Sequence, residues 1–290
     1  MKKLKVKFED DGKKLSTYLT SIYPKLNINA IYKALRKKDI KVNGKRINEN
    51  IIVSYDDELE VYIADNILEG ISNVEIPKLY EDDNIVIFNK PINFEVEGKN
   101  SLTELMEKQY KFIEPCHRID RNTIGLVIFA KNQESLDIMF DKFKNNEIEK
   151  HYIACCYNIP KQNATLNAYL FKDNKKSLVY ISDTPKKGAV KITTSYKLID
   201  SNKEKNLSIL DVTLHTGRTH QIRAHLAHAS LPIIGDGKYG SYELNKRFKQ
   251  STQCLCSYSI TFKPSQEPNK LSYLDNMKVE LKKIPFKDLL

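Results

Sequence analysis

The sequence predicts an α+β protein with a mixed, largely antiparallel sheet and flanking helices, together with a small N-terminal α/β module. Several strand patterns follow one another without strict alternation with helices, which argues against a doubly wound parallel sheet. A polar linker at residues 65–78 separates the module at 1–64 from the region at 79–290. A chain of 290 residues, 41% of them hydrophobic, suffices for one large domain beside a small one.

The N-terminal module begins with two short predicted helices. Their apolar faces are Leu15, Tyr18 and Leu19 in the first helix and Ile28, Ile31 and Leu35 in the second. Pro24 lies between them and ends the first helix. A strand at 40–42, a tight turn at Asn43-Gly44 and further strand between 51 and 63 complete the predicted module.

The larger region contains more predicted strand than helix. Strand patterns occupy residues 85–88, 125–131, 151–157, 190–198 and 207–214, and helices are predicted at 102–110 and 134–143. The five cysteines are an odd number without the spacing of a disulfide framework. We therefore expect reduced thiols, and burial for the four that lie in apolar strands: Cys155, Cys156, Cys254 and Cys256.

The net charge of +10 favours a polyanionic partner, because Lys and Arg bind nucleic acids largely by displacing counterions from phosphates. Between residues 25 and 46 there are eight basic residues and a single acid, Asp39. Lys33, Arg36 and Lys37 fall on one face of the second helix, opposite its apolar stripe. Taken alone, such a face is equally typical of an ordinary solvated surface.

An acid between two arginines marks the stretch from His117 to Gly125. Asp120 follows Arg118 by two positions and immediately precedes Arg121. The neighbouring cations favour the ionised form, so we expect a carboxylate that acts as a nucleophile or base. The alternative is a salt-bridged loop acid before a strand, which is the common meaning of an isolated pattern of this kind.

A second basic stretch runs from Leu214 to His228. Gly217 ends the preceding strand, and Thr219 is predicted to cap a helix whose apolar residues recur at spacings of four and three. Arg218 then lies at the start of the helix and Arg223 one turn inside it.

Together, the two stretches resemble the signature motifs of the RluA-type pseudouridine synthases. The aspartate loop of that family runs His-Arg-Leu-Asp-Arg, and its second motif runs Thr-Gly-Arg-Thr-His-Gln-Ile-Arg. Lys150-His151-Tyr152 resembles the family's tyrosine strand, and Leu255 lies where the family has a leucine before its last core strand. The turn Val42-Asn43-Gly44-Lys45 after two short helices resembles the S-four RNA-binding domain. Asn122 and Ile124 depart from the usual loop, which leaves the RNA site open.

The resemblance implies the pseudouridine synthase fold and isomerisation of uridine to pseudouridine in RNA, with no metal and no cofactor. It implies Asp120 as the nucleophile, or as the base that removes a ribose proton, and both routes stay open. Arg223 would pair with Asp120, while Tyr152 would stack on a uracil flipped out of the RNA and assist proton transfer. Further residues implied in RNA binding are Arg118, Arg121, Arg218, His220, Gln221, Leu255, Lys33, Arg36, Lys37, Lys45 and Arg46.

The implied partner is RNA, and ribosomal RNA is favoured over transfer RNA because a basic N-terminal module suits large structured RNA. The resemblance also implies a monomer. No apolar run reaches membrane-spanning length, and residues 1–7 develop no secretory signal. We therefore expect a cytoplasmic protein without membrane contact.

Other chemistries fit the sequence less well. Among the histidines from 215 to 228, only His225 and His228 have a spacing that shares a helical face, and no metalloprotease pattern accompanies them. A kinase loop needs adjacent Arg and Asp, whereas one residue separates Arg118 from Asp120. The remaining alternative is a non-catalytic RNA-binding or ribosome-assembly factor with the same fold. The variant Asp120→Asn separates the two, because it should abolish isomerisation and preserve RNA affinity.

Overall fold

The computed structural model describes residues 1–63, 65–68, 75–173 and 176–290. The chain divides into two compact units, Met1–Glu75 and Ile76–Leu290. Part of the predicted linker, residues 69–74, lies outside the described residues. The segment Asp65–Leu68 is a helical turn rather than linker, because its apolar Leu68 is fully buried in the core of the first unit.

The first unit is a four-stranded sheet with short helices. Its elements are β1 (Lys2–Lys5), α1 (Leu15–Ile22), α2 (Ile28–Arg36), β2 (Ile40–Val42), β3 (Lys45–Arg46), β4 (Glu58–Val61) and α3 (Asp65–Leu68). The strand order is β1-β4-β2-β3. The side chain of Asn27 accepts a hydrogen bond from the Asn29 N–H and so caps α2. Of its predicted apolar face, Ile31 and Leu35 are buried, whereas Ile28 in the first turn is exposed.

The strand predicted between residues 51 and 63 is much shorter in the structure. Only Glu58–Val61 forms β4, because a turn at Ser54 to Asp57 interrupts the extended chain. Within that turn the carboxylate of Asp57 accepts a hydrogen bond from the Ser54 N–H, and Asp56 has a left-handed backbone with φ 72°.

The second unit holds the remaining helices and strands. Its elements are β5 (Lys78–Glu81), β6 (Ile85–Lys90), α4 (Leu102–Met106), β7 (Glu114–Pro115), β8 (Ile124–Ala130), α5 (Gln133–Lys144), β9 (Ile148–Tyr157), β10 (Ala164–Asp173), β11 (Leu178–Ser182), β12 (Val190–Asn202), β13 (Leu207–Leu214), α6 (Gln221–His228), α7 (Tyr242–Arg247), β14 (Leu255–Phe262) and β15 (Lys278–Glu280). The helix predicted at 102–110 is shorter than expected and ends at Met106.

The strands of the second unit form one sheet in the order β11-β10-β12-β13-β9-β14-β8-β6-β5, with β15 beside β14 and β7 beside β8. Among these pairs only β14 and β8 run parallel, which confirms the predicted mixed, largely antiparallel sheet. In this order β14 lies between β9 and β8. Strand β9 carries Tyr152 and β8 follows the Asp120 loop, so the topology brings together segments that are distant in sequence.

The parallel contact between β8 and β14 depends on Gly125. A Cβ atom at this position would lie 2.2 Å from the carbonyl oxygen of Ser257 and 2.9 Å from the Cys256 Sγ. The backbone of Gly125 also has φ 106°, a conformation that L side chains rarely adopt. This glycine therefore sets how closely the strand after the Asp120 loop approaches the strand that carries Leu255.

On β9, His151 contacts carboxylates with both ring nitrogens: Nδ1 lies 2.8 Å from Asp211 and Nε2 lies 2.8 Å from Glu149. The hydrogen bond to Asp211, aided by Glu149 and opposed by burial, raises the pKa of His151 above 6.5. The protonated His151 therefore stabilises the folded protein. This contribution is fully present below pH 6.5 and is lost as the pH rises through the raised pKa that His151 has in the folded protein.

We expect His151→Gln to destabilise the second unit at acidic pH, by at most about 1 kcal/mol because the pair is partly exposed. The deficit should shrink at alkaline pH, where the wild-type histidine is neutral. Urea unfolding of both proteins at about pH 5.5 and about pH 9 measures the difference in unfolding free energy. A deficit that does not change with pH would contradict the ion-pair account.

Candidate active site

The motifs singled out in the sequence meet at a cavity of about 570 Å³ in the second unit. Its lining comes from the loop before β8, the end of α5, strand β9, the turn before α6 and the start of β14. The lining residues used below are His117, Arg118, Asp120, Phe143, Lys144, Lys150, Tyr152, Arg218, His220, Gln221, Arg223 and Leu255. A volume of this size is typical of a pocket that binds a small molecule or a single extruded nucleotide.

At this cavity, Arg223 holds two carboxylates. Its Nη1 donates to the Asp120 Oδ2 at 2.8 Å. Its Nε and Nη2 donate to the two carboxylate oxygens of Asp236 at 2.7 and 2.8 Å, which is a bidentate pair. Only a planar guanidinium has enough fixed donors to satisfy both acids at once. Arg223 is therefore oriented by Asp236 and presented to Asp120.

Burial distinguishes the two acids. Asp236 is 1% exposed, whereas 27% of the Asp120 side chain remains exposed. Burial alone would raise the pKa of Asp236, but the hydrogen bonds and charge of Arg223 lower it below its usual range. For Arg223, burial is outweighed by Asp236 and Asp120, which raise its pKa. The buried pair is thus ionised and fixed, while Asp120 is the carboxylate that a substrate can reach.

His220 lies beside the same carboxylate. Its Nε2 is 4.0 Å from the Asp120 Oδ2, and its Nδ1 is hydrogen-bonded to the Tyr239 hydroxyl at 2.8 Å. Burial lowers the pKa of His220; the Asp120 carboxylate opposes this effect, and Arg223 adds to it. The net effect favours a neutral imidazole next to Asp120, which adds hydrogen-bonding capacity there.

The turn before α6 differs from the prediction that Thr219 caps the helix. The helix begins at Gln221, its N-cap is His220 with a left-handed backbone, and no side chain caps it. Instead, the Gln221 side chain folds back: its Oε1 accepts from the Arg218 N–H and the Thr216 hydroxyl. The turn before α6 is therefore closed by the side-chain amide of Gln221, and the predicted hydroxyl cap of Thr219 does not form.

Gln221 itself is a correction to the predicted RNA-binding set. It is 1% exposed, and its Nε2 donates to the Thr193 carbonyl and the Thr194 hydroxyl. With its Oε1 also taken twice, all four hydrogen-bonding positions of the amide are used within the protein. Gln221 therefore fixes the turn that carries Arg218 and leaves no group for RNA.

Tyr152 lines the cavity on β9 and is 5% exposed. Burial raises the pKa of its phenol well above the usual value, so the hydroxyl is protonated at neutral pH. In the sheet register Tyr152 stands opposite Ser257 of β14, and side chains of paired residues share a face. Leu255 is 3% exposed and also lines the cavity. The site thus combines an aromatic ring, an aliphatic wall and a reachable carboxylate.

A buried lysine supports the Asp120 loop from below. Lys90 is fully buried, and its Nζ donates to the carbonyl oxygens of Pro91, Phe94 and Arg121 at 3.0, 2.8 and 3.0 Å. Burial lowers its pKa to about 7, although three acceptors match the three N–H groups of the ammonium form. The contact with the Arg121 carbonyl ties the loop directly after Asp120 to the end of β6.

The remaining predicted residues are divided between the units. Arg118 and Arg218 are exposed and line the cavity, whereas Arg121 donates to the Asn93 carbonyl at 3.2 Å and is absent from the lining. The basic residues predicted on the N-terminal module are exposed in the first unit: Lys33, Arg36, Lys37, Lys45 and Arg46. The guanidinium of Arg46 donates to the Lys38 carbonyl and lies 5.7 Å from the centre of the Tyr62 ring.

Within the described part of the chain, no group of three or more His, Cys, Asp or Glu residues could hold a metal ion. His225 is 2% exposed and bonded to the Thr194 hydroxyl, and His228 contacts Asp183. All five cysteines are buried free thiols, as predicted for the four in strands. Among described residues, no helix is long and apolar enough to cross a membrane.

Two contributors to the site were not predicted. Asp236 follows the apolar stretch Pro232-Ile233-Ile234, and an acid in such surroundings was a signal of a buried ion pair. Lys90 ends the apolar strand β6, and a lysine at the end of such a strand likewise indicates a buried polar contact. Neither signal identified the distant partner, since Asp236 reaches Arg223 and Lys90 reaches the Arg121 carbonyl through tertiary contacts.

Comparison with known proteins identifies the family. The family model described as RNA pseudouridylate synthase matches residues 84–228, which contain Asp120, Tyr152 and Arg223. An "uncharacterized RNA pseudouridine synthase" of Mycoplasma capricolum is 33% identical over 95% of this chain and 96% of the relative. The chain belongs to the RNA pseudouridylate synthase family. Members of this family are isomerases that convert uridine in RNA to pseudouridine.

Further relatives agree with this membership. The ribosomal large subunit pseudouridine synthase C of Rickettsia bellii is 31% identical, with 80% of this chain and 84% of the relative covered. The solved structure of human RNA pseudouridylate synthase domain containing 1 has a TM-score of 0.58 at 18% identity, covering 74% of this chain and 92% of that chain. At this identity the likeness shows a shared fold, and this synthase has the mixed sheet expected of it.

Proposed function

We propose that this synthase isomerises specific uridines of large-subunit ribosomal RNA, with Asp120 as the nucleophile or base. The observation that carries the proposal is the contact of Asp120 with Arg223. Arg223 neutralises part of the charge and fixes the carboxylate, while a quarter of the Asp120 side chain stays open to the cavity. A non-catalytic RNA-binding protein gains nothing from an ionised acid held open to a pocket on an RNA-binding surface.

The reaction exchanges one bond for another within the nucleotide. The bond from the ribose C1′ to the uracil N1 breaks, a bond from C1′ to C5 forms, and the C5 proton is finally transferred to nitrogen. Asp120 attacks C1′ or removes a ribose proton. The Tyr152 ring gives the detached uracil a stacking surface, and its neutral phenol supplies a hydrogen-bonding group near C5. The exchange needs no net oxidant or reductant.

The target uridine must leave its stack to reach Asp120. Flipping costs on the order of a few kcal/mol, and loops or bulges in the RNA reduce this cost. Arg118 is exposed at the cavity wall and is suited to fill the gap left by the base. Leu255 closes the apolar side of the pocket against the uracil.

The choice of ribosomal RNA rests on two supports. Relatives that cover most of this chain are named ribosomal large subunit pseudouridine synthase C. The first unit also exposes a basic face with Lys33, Arg36 and Lys37 on or next to α2, which suits the phosphates of a large folded RNA. We propose that this unit acts as an S-four-like RNA-binding domain, and that the protein works as a cytoplasmic monomer.

Pseudouridine mapping tests this function. Carbodiimide-dependent primer extension on total RNA is compared in cells with the gene, without it, and rescued with wild type or Asp120→Asn. We expect at least one ribosomal RNA site to vanish on deletion, to return with wild type and to stay absent with Asp120→Asn. A site lost from transfer RNA would overturn the choice of RNA. No lost site in any RNA would favour the non-catalytic binding factor.

A further inference from the structure

The geometry points to a second subsite in the same cavity, formed by Phe143, Lys150 and His117, which binds the nucleotide adjoining the target uridine. The inference rests on the proposed function, since it needs an RNA strand whose uridine is at Asp120. None of the three residues is among the proposed catalytic residues, which are Asp120, Tyr152 and Arg223. The subsite recognises the base of the neighbour by stacking and its phosphate by charge.

The three side chains of the subsite lie close together. Phe143 lies in the last turn of α5, and its half-buried ring is 5.0 Å from the His117 ring between centroids, with 48° between the planes. The Lys150 Nζ lies 4.9 Å from the centre of the Phe143 ring. All three residues line the cavity that contains Asp120 and Tyr152. Aromatic rings interleaved with cations are the common construction of single-stranded RNA sites.

Among the described residues, the Lys150 side chain has a cation–π contact with Phe143 and neither an ion pair nor a hydrogen bond, and burial lowers its pKa. A partly buried ammonium without a carboxylate is costly in the free protein, and a phosphate oxygen would relieve that cost. Lys144 and Arg118 also line this cavity and add positive charge to it. The Lys150 side chain thus lacks a countercharge in the free protein, and a phosphate oxygen would supply one.

His117 contributes a neutral ring to the subsite. Its Nε2 accepts a hydrogen bond from the Ile128 N–H at 3.1 Å, so the ring proton is on Nδ1. Burial, aided by the nearby Lys150, lowers its pKa to about 3. His117 therefore offers the cavity a neutral aromatic ring with one N–H, and among the three subsite residues only Lys150 can carry charge.

The distance between Lys150 and Tyr152 suits two adjoining nucleotides. Lys150 and Tyr152 are two residues apart on β9, so they stand on one face about 7 Å apart. A uracil stacked on Tyr152 leaves the Phe143 end of the cavity to the next part of the same RNA strand. When RNA binds, Lys150 moves from the ring to the phosphate, because a charge-assisted hydrogen bond is stronger than a cation–π contact. The Phe143 ring is then free to stack on the neighbouring base.

The test uses a short RNA hairpin that carries the mapped uridine, with or without a base at each adjoining position. Wild type and Phe143→Ala are compared by single-turnover rate and by the hairpin concentration that gives half the maximal rate. We expect Phe143→Ala to raise that concentration about tenfold or more, with little change in the maximal rate. On the hairpin that lacks the stacked base, the wild type should lose the same factor and the variant no more.

The role of Lys150 is tested through the phosphate groups of the RNA. Lys150→Met should weaken hairpin binding and reduce the slope of log affinity against log salt by about 0.7, the value for one phosphate contact to a single strand. A hairpin with a neutral methylphosphonate at the adjoining phosphate should bind wild type and variant alike. A merely structural lysine would leave the salt slope unchanged.

Matched controls come from the same molecule. Phe140→Ala removes an exposed ring from α5 outside the cavity lining, and Lys197→Met removes an exposed lysine from β12. Phe143→Leu keeps the apolar volume and should recover folding but not stacking. If Phe143→Ala loses the same factor on the hairpin lacking the base, or behaves like Phe140→Ala, the subsite is refuted. Wild type that fails to modify the intact hairpin refutes the proposed function instead.

Discussion

Asp120→Asn is expected to lower the rate of pseudouridine formation on the mapped hairpin by on the order of 10⁴-fold or more, the scale seen when a catalytic nucleophile is removed. Asparagine has nearly the same shape and still accepts a hydrogen bond from Arg223. It lacks the charge that attacks the sugar or removes its proton. RNA affinity and the urea midpoint should change little, because the Asp120 side chain is 27% exposed and Asp236 still pairs with Arg223.

The measurement is single-turnover conversion followed by release of tritium from uridine labelled at C5. Asp137→Asn is a matched control, because Asp137 lies on the exposed side of α5 and contacts Gln133. Turnover of Asp120→Asn within tenfold of wild type would remove Asp120 from the reaction. Loss of RNA affinity together with rate would instead assign it to binding.

Arg223→Met is expected to combine a loss of activity with a loss of stability of about 3–5 kcal/mol. The activity falls because Asp120 loses the donor that orients it. The stability falls because Asp236, which is 1% exposed, keeps its charge without the bidentate partner. The backbone N–H groups of Lys238 and Tyr239 still reach Asp236, but they supply no countercharge.

A second substitution separates these two effects. Adding Asp236→Asn to Arg223→Met removes the buried charge, so part of the lost stability should return while activity stays absent. Urea unfolding gives the free energies, and single-turnover assays on the hairpin give the rates. Arg223→Lys keeps one charge but cannot bridge both acids, and we expect it to fold and remain nearly inactive. Recovery of activity in the double variant would show that Asp120 needs no positioning by Arg223.

The sequence predicted those parts of the molecule that depend on local pattern. Apolar periodicity located α1, α2 and five of the eleven strands of the large sheet, and the family resemblance of the two motifs implied that Asp120 and Arg223 belong to one site. The structure brings them to 2.8 Å although 103 positions separate them. Asp236 was missed because its role depends on a tertiary contact, the ion pair with Arg223 of α6.

The errors have physical causes. Thr219 carries the usual capping hydroxyl, but the Gln221 amide closes the turn from inside the helix and fills its own hydrogen bonds in doing so. Gln221 was expected at the RNA because it lies in the second family motif; it does line the cavity, but its amide is used entirely within the protein. Sequence position cannot distinguish a residue that faces the substrate from one that holds its neighbours in place.

The close approach of Gly125 to Ser257 limits which genetic changes this enzyme can absorb. The atom that obstructs a side chain at 125 is a backbone carbonyl, which every amino acid at 257 would present alike. A lesion at 125 therefore has no second-site suppressor among side chains of the facing strand. Only reversion, or a shift of the whole strand that carries Leu255, could restore the pocket. A substitution of Gly125 therefore cannot be compensated by a second substitution in the facing strand.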